Sequence, residues 1–322
     1  MNTNLRKIAE ICNTSAYFHG KIIYGESMAD HTTFKVGGDA RVFAQPDDEK
    51  SCMFLLGLLR ENRVPFFILG GGSNIVVADE GLEGCILCTK ALKALRLQDD
   101  VLYCGAGTSF DEVTDFCIAH GLSGLENFAG LPGTVGGAVY MNARCYEKSI
   151  SDVLLFADYA VPEDDEARRY TMNETDWDYK KSPFMARCAE QKPCLILSAA
   201  FKVEKGEASL IEQKCRGFIK DREEKGHFRY PCAGSVFKNN RAFGKPSGKI
   251  IDEALLRGVY RGGAQVAPWH GNFIVNTGGA SADSIKELVQ YVQSEVKKRT
   301  GFSLECEIIF IDNSLLGFYT IP

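Results

Sequence analysis

Residues 67–78 read FILGGGSNIVVA, three consecutive glycines held between two apolar, strand-like runs. Few features restrict a chain more. Glycine adopts positive φ and lets other groups approach the main chain, so Gly70, Gly71 and Gly72 can turn their N–H groups toward an anion. Ser73 and Asn74 follow as side-chain donors. A doubly wound dinucleotide fold needs its glycine turn to open a helix, whereas Asn74 to Ala78 continues as the β-branched run NIVVA. The pattern therefore points to a phosphate cradle that is not of the Rossmann kind, or to a tight strand-to-strand turn with no ligand.

The 322 residues are enough for a large core and for two domains. A net charge of -5 and the lack of an arginine- and aromatic-rich run exclude a backbone-tracking nucleic-acid binder. The N-terminal MNTNLRKIAEIC has no continuous apolar core, and no apolar stretch approaches the ~20 residues of a membrane span. The expectation is a cytoplasmic protein with no membrane partner. Twelve cysteines are scattered through apolar runs and read as buried thiols. The close pair Cys85 and Cys88 lies in a strand-like run where positions i and i+3 face opposite ways, so no metal site is expected.

Along the chain the pattern is α+β. Residues 47–63 read as an amphipathic helix, followed by short strands at 66–69, 74–78, 85–88 and 101–104. Ser109 caps a helix to His120, with Asp111 and Glu112 in its first turn. The stretch 124–142 is again glycine-rich, with Gly130, Pro132, Gly133, Gly136 and Gly137 around Thr134 and next to Ala138. Pro132 suits the first turn of a short helix facing a pyrophosphate, while a glycine-rich crossover loop is the plain alternative. Strands at 153–161 and 195–203 close a first unit, and a helix over 207–224 opens a second. Ser281 starts the clearest helix, with Ile285, Leu288, Val289, Val292 and Val296 at helical spacing and Gly301 past its end. A final strand over 303–311 places Glu305 and Glu307 on one face.

Read together, HTTFKVGG (31–38), LGGGSNIVV, LPGTVGGAVYMNA (131–143), AGSVFKN (233–239), GGAQV (262–266) and LECEIIFI resemble the UDP-N-acetylenolpyruvoylglucosamine reductase family in order and spacing. The resemblance spans roughly Thr32 to Ile311. It implies an FAD-binding domain of the p-cresol methylhydroxylase and vanillyl-alcohol-oxidase type over 1–205, in two α+β subdomains divided near 90–105. It also implies a C-terminal α+β substrate domain over 206–322. Noncovalent FAD, NADPH as hydride donor, and the enolpyruvyl ether of a UDP-sugar as acceptor come with it.

The resemblance also assigns roles. Gly70, Gly71, Gly72, Ser73, Asn74, Gly130, Pro132, Gly133, Thr134, Gly136, Gly137 and Ala138 contact the flavin nucleotide. Tyr179, Lys225, Lys238 and Asn239 contact the UDP-sugar. Ser235 donates a proton and Glu307 supports that step, a role that periodicity does not separate from Glu305. The chemistry wants such groups: hydride addition to the enolpyruvyl carbon leaves an enolate that needs a cation and an acid. Where the family has an arginine in YRxSxF, this chain reads YKKSPF, so Lys180 takes that place without the planar guanidinium fork. Lys181 and Arg261 are its rivals. ARCYEK (143–148) replaces a glycine-containing run and brings bulk near the expected flavin loop, and KGHFRYP replaces a basic-Gln-Pro pattern around Lys225. The short Lys180 to Ser235 interval resembles the family form without an extra insertion, hence without that insertion's substrate-capping tyrosine. Trp269 and His270 either bracket a base or sugar or pack on the core.

Overall fold

A computed structural model describes residues 3–190 and 193–316. Helix α1 (Thr3–Thr14) buries Leu5, Ile8, Ala9 and Cys12, one stripe at helical spacing that its polar neighbours mask in the sequence. Strands β1 (Gly20–Ser27) and β2 (Asp39–Pro46) pair antiparallel. Helix α2 (Glu49–Glu61) follows, its N-cap Asp48 accepting from the Ser51 N–H. Then come β3 (Phe66–Leu69), β4 (Ile75–Val77) and β5 (Leu82–Cys88). The first sheet has the order β1-β2-β5-β3, with β5 parallel to both β2 and β3. Along β5 the side chains alternate: Cys85 and Leu87 enter the core under α1 and α2, while Ile86 and Cys88 enter the opposite one with Phe43 and Leu69. All twelve cysteines are free, and burial pushes the thiols of Cys52, Cys85 and Cys104 well above their usual range.

The second sheet begins with β6 (Leu95–Gln98) and β7 (Val101–Gly105). Helix α3 (Phe110–His120) carries the capping box of Ser109 and Glu112 and ends on Gly121 at φ 61°. After the short strand β8 (Leu122–Ser123), helix α4 (Val135–Met141) and the hairpin of β9 (Arg144–Cys145) and β10 (Lys148–Ser149) come β11 (Leu154–Ala160) and β12 (Arg168–Thr171). Helix α5 (Pro183–Ala189) leads to β13 (Leu195–Lys202), completing an antiparallel sheet of order β12-β11-β13-β7-β6. The β9–β10 turn holds Tyr146 at φ 46° and Glu147 at φ 68°, so the ARCYEK run folds as a tight hairpin and not as a glycine loop.

Beyond β13, β14 (Glu204–Lys205) pairs with β8, and α6 (Ala208–Glu224) follows. The sequence suggests that α6 opens the second unit. Its apolar side chains Ile211, Cys215 and Ile219 pack instead on Ile118 of α3 and on Ala129, within the first unit. The C-terminal unit consists of β15 (Cys232–Ser235), α7 (Ser247–Glu253), β16 (Tyr260–Arg261), β17 (Ala264–Val266), β18 (Phe273–Asn276) and α8 (Ala282–Thr300). Its sheet runs β15-β18-β17-β16, and α8 covers it with Ile285, Leu288, Val289, Val292 and Val296. The last strand, β19 (Ile309–Ile311), pairs parallel with β4 of the first unit, the two forming a separate two-stranded sheet. It is shorter than the 303–311 expected, because the chain changes partner partway. Residues 305–307 lie against 236–238, with the Lys238 N–H on the Glu305 carbonyl and the Glu307 N–H on the Val236 carbonyl, before 309–311 cross to β4. This crossing fastens the C-terminal unit to the first. Asp79 reinforces it by accepting the Ala282 and Asp283 N–H groups at the start of α8, at 2.8 and 3.0 Å. Among the described residues, no helix is long and apolar enough to cross a membrane.

Candidate active site

The two glycine-rich loops touch. A Cβ on Gly71 would stand 2.4 Å from the Gly133 Cα, and one on Gly133 would stand 2.6 Å from the Ser73 Oγ. Ser73 Oγ donates to the Pro132 carbonyl at 3.1 Å, which locks the loops together. Gly72 does different work: at φ 68° its missing Cβ leaves room for the His31 carbonyl, and its own carbonyl accepts from the Thr33 N–H. That explains why the HTTF segment accompanies the glycines. The side chains of Ser73 and Asn74 tie protein to protein here, Ser73 Oγ to the Pro132 carbonyl and Asn74 Nδ2 to the Glu307 carbonyl.

What remains for a ligand is the main chain. Among the described residues, the N–H groups of 70–74 reach no protein acceptor. Thr134 Oγ1 is buried without a hydrogen-bond partner, 2.8 Å from where a Cβ on Gly70 would sit. A buried hydroxyl left unpaired costs roughly 1–3 kcal/mol, so a ligand atom is its natural partner. Pro132 is not in a helical turn; α4 starts three residues later, after Thr134 as N-cap. The N–H groups of Val135 and Gly136 already donate to the carbonyls of Thr108 and Ala106, so the first turn of α4 has less to offer a phosphate than expected. Gly136 is required by packing, since a Cβ would lie 2.9 Å from that of Ala106. Gly137 and Ala138 face the cavity beyond it.

This cradle forms one wall of a cavity of about 1570 Å³. That exceeds the roughly 300–1,000 Å³ of a single-ligand site. The same cavity is lined by Tyr179, Lys180, Ser235, Lys238, Asn239 and Glu307. Lys180 sits in the turn 178–181, closed by the Lys181 N–H on the Asp178 carbonyl at 3.0 Å. Its φ is 56°, a conformation that costs a non-glycine residue roughly 1–2 kcal/mol. The strained backbone aims its ammonium inward, where Nζ meets Glu307 Oε1 at 2.5 Å with both side chains nearly buried, 13% and 11% exposed. Lys181, by contrast, is 68% exposed and pairs with Asp178. Arg261 lies outside the cavity, over the Tyr291 ring.

Ser235 ends β15 one residue before Val236, whose carbonyl receives the Glu307 N–H at 2.8 Å. Backbone pairing thus brings hydroxyl and carboxylate to the same edge. Glu305 and Glu307 part company there, Glu305 going to the rim and pairing with Lys238 at 2.5 Å while 72% exposed. Tyr179 Oη accepts from the Asn239 N–H at 3.4 Å, and Asn239 Oδ1 accepts from the Ser247 N–H, anchoring α7.

Besides Arg261, four residues singled out in the sequence are not on the cavity wall. Gly130 turns at φ 67° against Arg222 and Ile219. Lys225 pairs with Asp221 at 2.6 Å. Trp269 stacks on Tyr230, and His270 on Phe273, the plain packing alternative. Sequence reading also missed contributors. Arg222 is buried on the wall, its Nε donating to the Ala129 carbonyl. Tyr146 bonds Asp221 at 2.8 Å, and burial with that carboxylate raises its phenol to about 12. His227 sits beside them, its pKa pushed down to about 4 by burial and then by the charge of Arg222. Tyr146 and His227 fall in the ARCYEK and KGHFRYP runs and Arg222 in neither, and the three converge only once α6 packs on the first unit.

The glycine walls, the free N–H row and the unpaired Thr134 hydroxyl fit the pyrophosphate-bearing part of FAD. Comparison with known proteins agrees. A model of the FAD-binding domain matches residues 40–164, and a model of the UDP-N-acetylenolpyruvoylglucosamine reductase C-terminal domain matches residues 226–311. The UDP-N-acetylenolpyruvoylglucosamine reductase of Treponema denticola is 44% identical over 309 residues, covering 92% of this chain and 96% of its own. That of Borreliella burgdorferi is 37% identical over 89% of this chain and 93% of its own. The crystal structure of UDP-N-acetylenolpyruvylglucosamine reductase from Thermus caldophilus superposes with a TM-score of 0.74 at 28% identity, covering 92% of this chain and all of that one. Two touching glycine loops that suit a flavin nucleotide, and a buried lysine–glutamate pair lining the same cavity, are thus found in a chain that belongs to the UDP-N-acetylenolpyruvoylglucosamine reductase family of FAD-dependent oxidoreductases.

Proposed function

We propose that the protein uses NADPH to reduce the enolpyruvyl ether of UDP-N-acetylglucosamine to UDP-N-acetylmuramate, a precursor for peptidoglycan, in the cytoplasm. The observation that carries this reading is the Lys180–Glu307 pair, lining with Ser235 the same cavity as the loops that suit FAD. FAD held by the loops 70–74 and 133–138 would supply hydride chemistry, with NADPH as the source of the hydride. The remaining tasks fall to side chains. Lys180 places a positive charge where the substrate carboxylate gains electron density, in a recess with little competing water. Ser235 delivers the proton that completes the reduction. Serine is a weak acid, so the alkoxide it leaves must be stabilised and reprotonated by neighbours, and Lys180 and Glu307 stand on that wall. Tyr179, Lys238 and Asn239 line the same side and are positioned for the UDP-sugar; Lys225 would join them only by leaving Asp221. We also place the boundary of the substrate domain near residue 225, after α6, and not at 205.

Stopped-flow spectroscopy of Ser235→Ala tests this function. Flavin reduction by NADPH should run at the wild-type rate, whereas reoxidation by the enolpyruvyl sugar should fall at least a hundredfold. Equal losses in both halves would remove Ser235 from the proton-transfer role.

A further inference from the structure

The Asn74 side chain joins three segments that the reaction needs together. It belongs to the first glycine loop. Its Nδ2 donates to the Glu307 carbonyl at 2.9 Å and lies 3.6 Å from the sulfur of Met141 in α4. The main-chain carbonyl of Asn74 accepts the Ile309 N–H at 3.0 Å. Glu307 stands where the C-terminal chain leaves 236–238 and has not yet joined β4, so no sheet ladder holds its carbonyl. The Asn74 amide fills that gap.

We infer that Asn74 is a positioning residue for Glu307, fixing the carboxylate against Lys180 and Ser235 through the glycine loop itself, and that its side chain does not serve as a flavin ligand. The inference rests on the role proposed for Glu307. Three bonds locate that residue: its N–H on Val236, its carbonyl on Asn74 and its side chain on Lys180. The first is a backbone bond that no substitution short of proline deletes, and the third is part of the chemistry. The second is purely geometric. Removing it frees residues 307–308 to rotate about the crossing, which moves the carboxylate without altering its chemical identity. Misplacement by about 1 Å costs on the order of a hundredfold in rate.

The test is a double-mutant cycle on the holoenzyme, using Asn74→Ala, Glu307→Gln and the pair. Three quantities are read: the rate of flavin reoxidation by the enolpyruvyl sugar, the rate of reduction by NADPH, and FAD affinity by fluorescence titration. Asn74→Ala should slow reoxidation about 10- to 100-fold, with reduction and FAD affinity within about threefold of wild type. In the Glu307→Gln background it should add less than about threefold, since the carboxylate to be placed is already gone. An additive loss would overturn the inference, as would a drop in FAD affinity that accounts for the whole effect of Asn74→Ala. If Glu307→Gln alone leaves reoxidation intact, the role of Glu307 fails instead, and the two failures are told apart by that single variant.

Discussion

Gly71→Ala should weaken FAD binding by a predictable amount. The added Cβ would sit 2.4 Å from the Gly133 Cα, 3.0 Å from its carbonyl carbon and 3.3 Å from the Thr134 nitrogen. Ordinary contact begins near 3.4 Å, so the loops must part by about 1 Å. All three obstacles are backbone, and no rotamer change relieves them. The residue is not in the left-handed region, so the effect is steric and not torsional. Overpacking of this kind costs about 1–3 kcal/mol. The protein without flavin relieves the clash by letting the loops separate, and FAD binding has to draw them back. The cost then falls on affinity, about 5- to 150-fold at 1.4 kcal/mol per decade. Titration of the flavin-free protein, followed by quenching of FAD fluorescence, gives the number. Gly57→Ala is the control, a position in α2 with open space around it, where alanine should bind FAD normally and slightly raise the melting temperature. Wild-type affinity in Gly71→Ala would show that the loops do not form a joint cradle.

Lys180→Ala should abolish turnover of the enolpyruvyl sugar, by a hundredfold or more, because it removes the buried cation and leaves Glu307 unpaired; Lys181→Ala and Arg261→Ala should stay within a fewfold in steady-state assays. His227 has its folded pKa lowered to about 4 from 6.5, so the unfolded chain takes up the proton first. Its contribution to stability is complete above about pH 6.5 and is lost as the pH falls through 4; the melting temperature of His227→Gln should decline less steeply over that window than that of the wild type. Asp79→Ala deletes the acceptor of two N–H groups at the start of α8 and should lower unfolding free energy in urea by about 0.5–2 kcal/mol.

Much of the fold could be read from periodicity and caps. Helix α2 announces itself through apolar spacing, α3 through its cap Ser109 and α8 through both Ser281 and its spacing, and the strands at 66–69, 85–88, 153–161 and 195–203 through β-branched or apolar runs. Helix α1 is not read from the sequence, because its stripe is narrow, four buried residues among polar ones. The edge strands β1, β6 and β12 have no buried residue along their lengths. Partners decide such edges, and partners are not local. The same reason limits the site. Gly70 and Gly71 are visible as a motif, yet the contact of Gly71 with Gly133 depends on how two segments sixty positions apart meet. A periodic pattern puts Glu305 and Glu307 on one face, but the change of partner between 307 and 309 sends one to the rim and the other to Lys180. Lys225 lies on the motif but pairs with its own helix, a choice set by Asp221 four residues earlier.

The central claim is that one wall built from loops 70–74 and 133–138 holds the flavin nucleotide opposite Lys180, Ser235 and Glu307. A crystal structure of the protein with FAD and the enolpyruvyl sugar bound tests it most directly. The pyrophosphate should lie on the main-chain N–H groups of 70–74 with an oxygen within hydrogen-bond reach of the Thr134 hydroxyl, and the enolpyruvyl carbon should sit between the flavin ring and Ser235. Density for the cofactor away from these loops, or a sugar whose enolpyruvyl group points from Ser235 toward solvent, would contradict it.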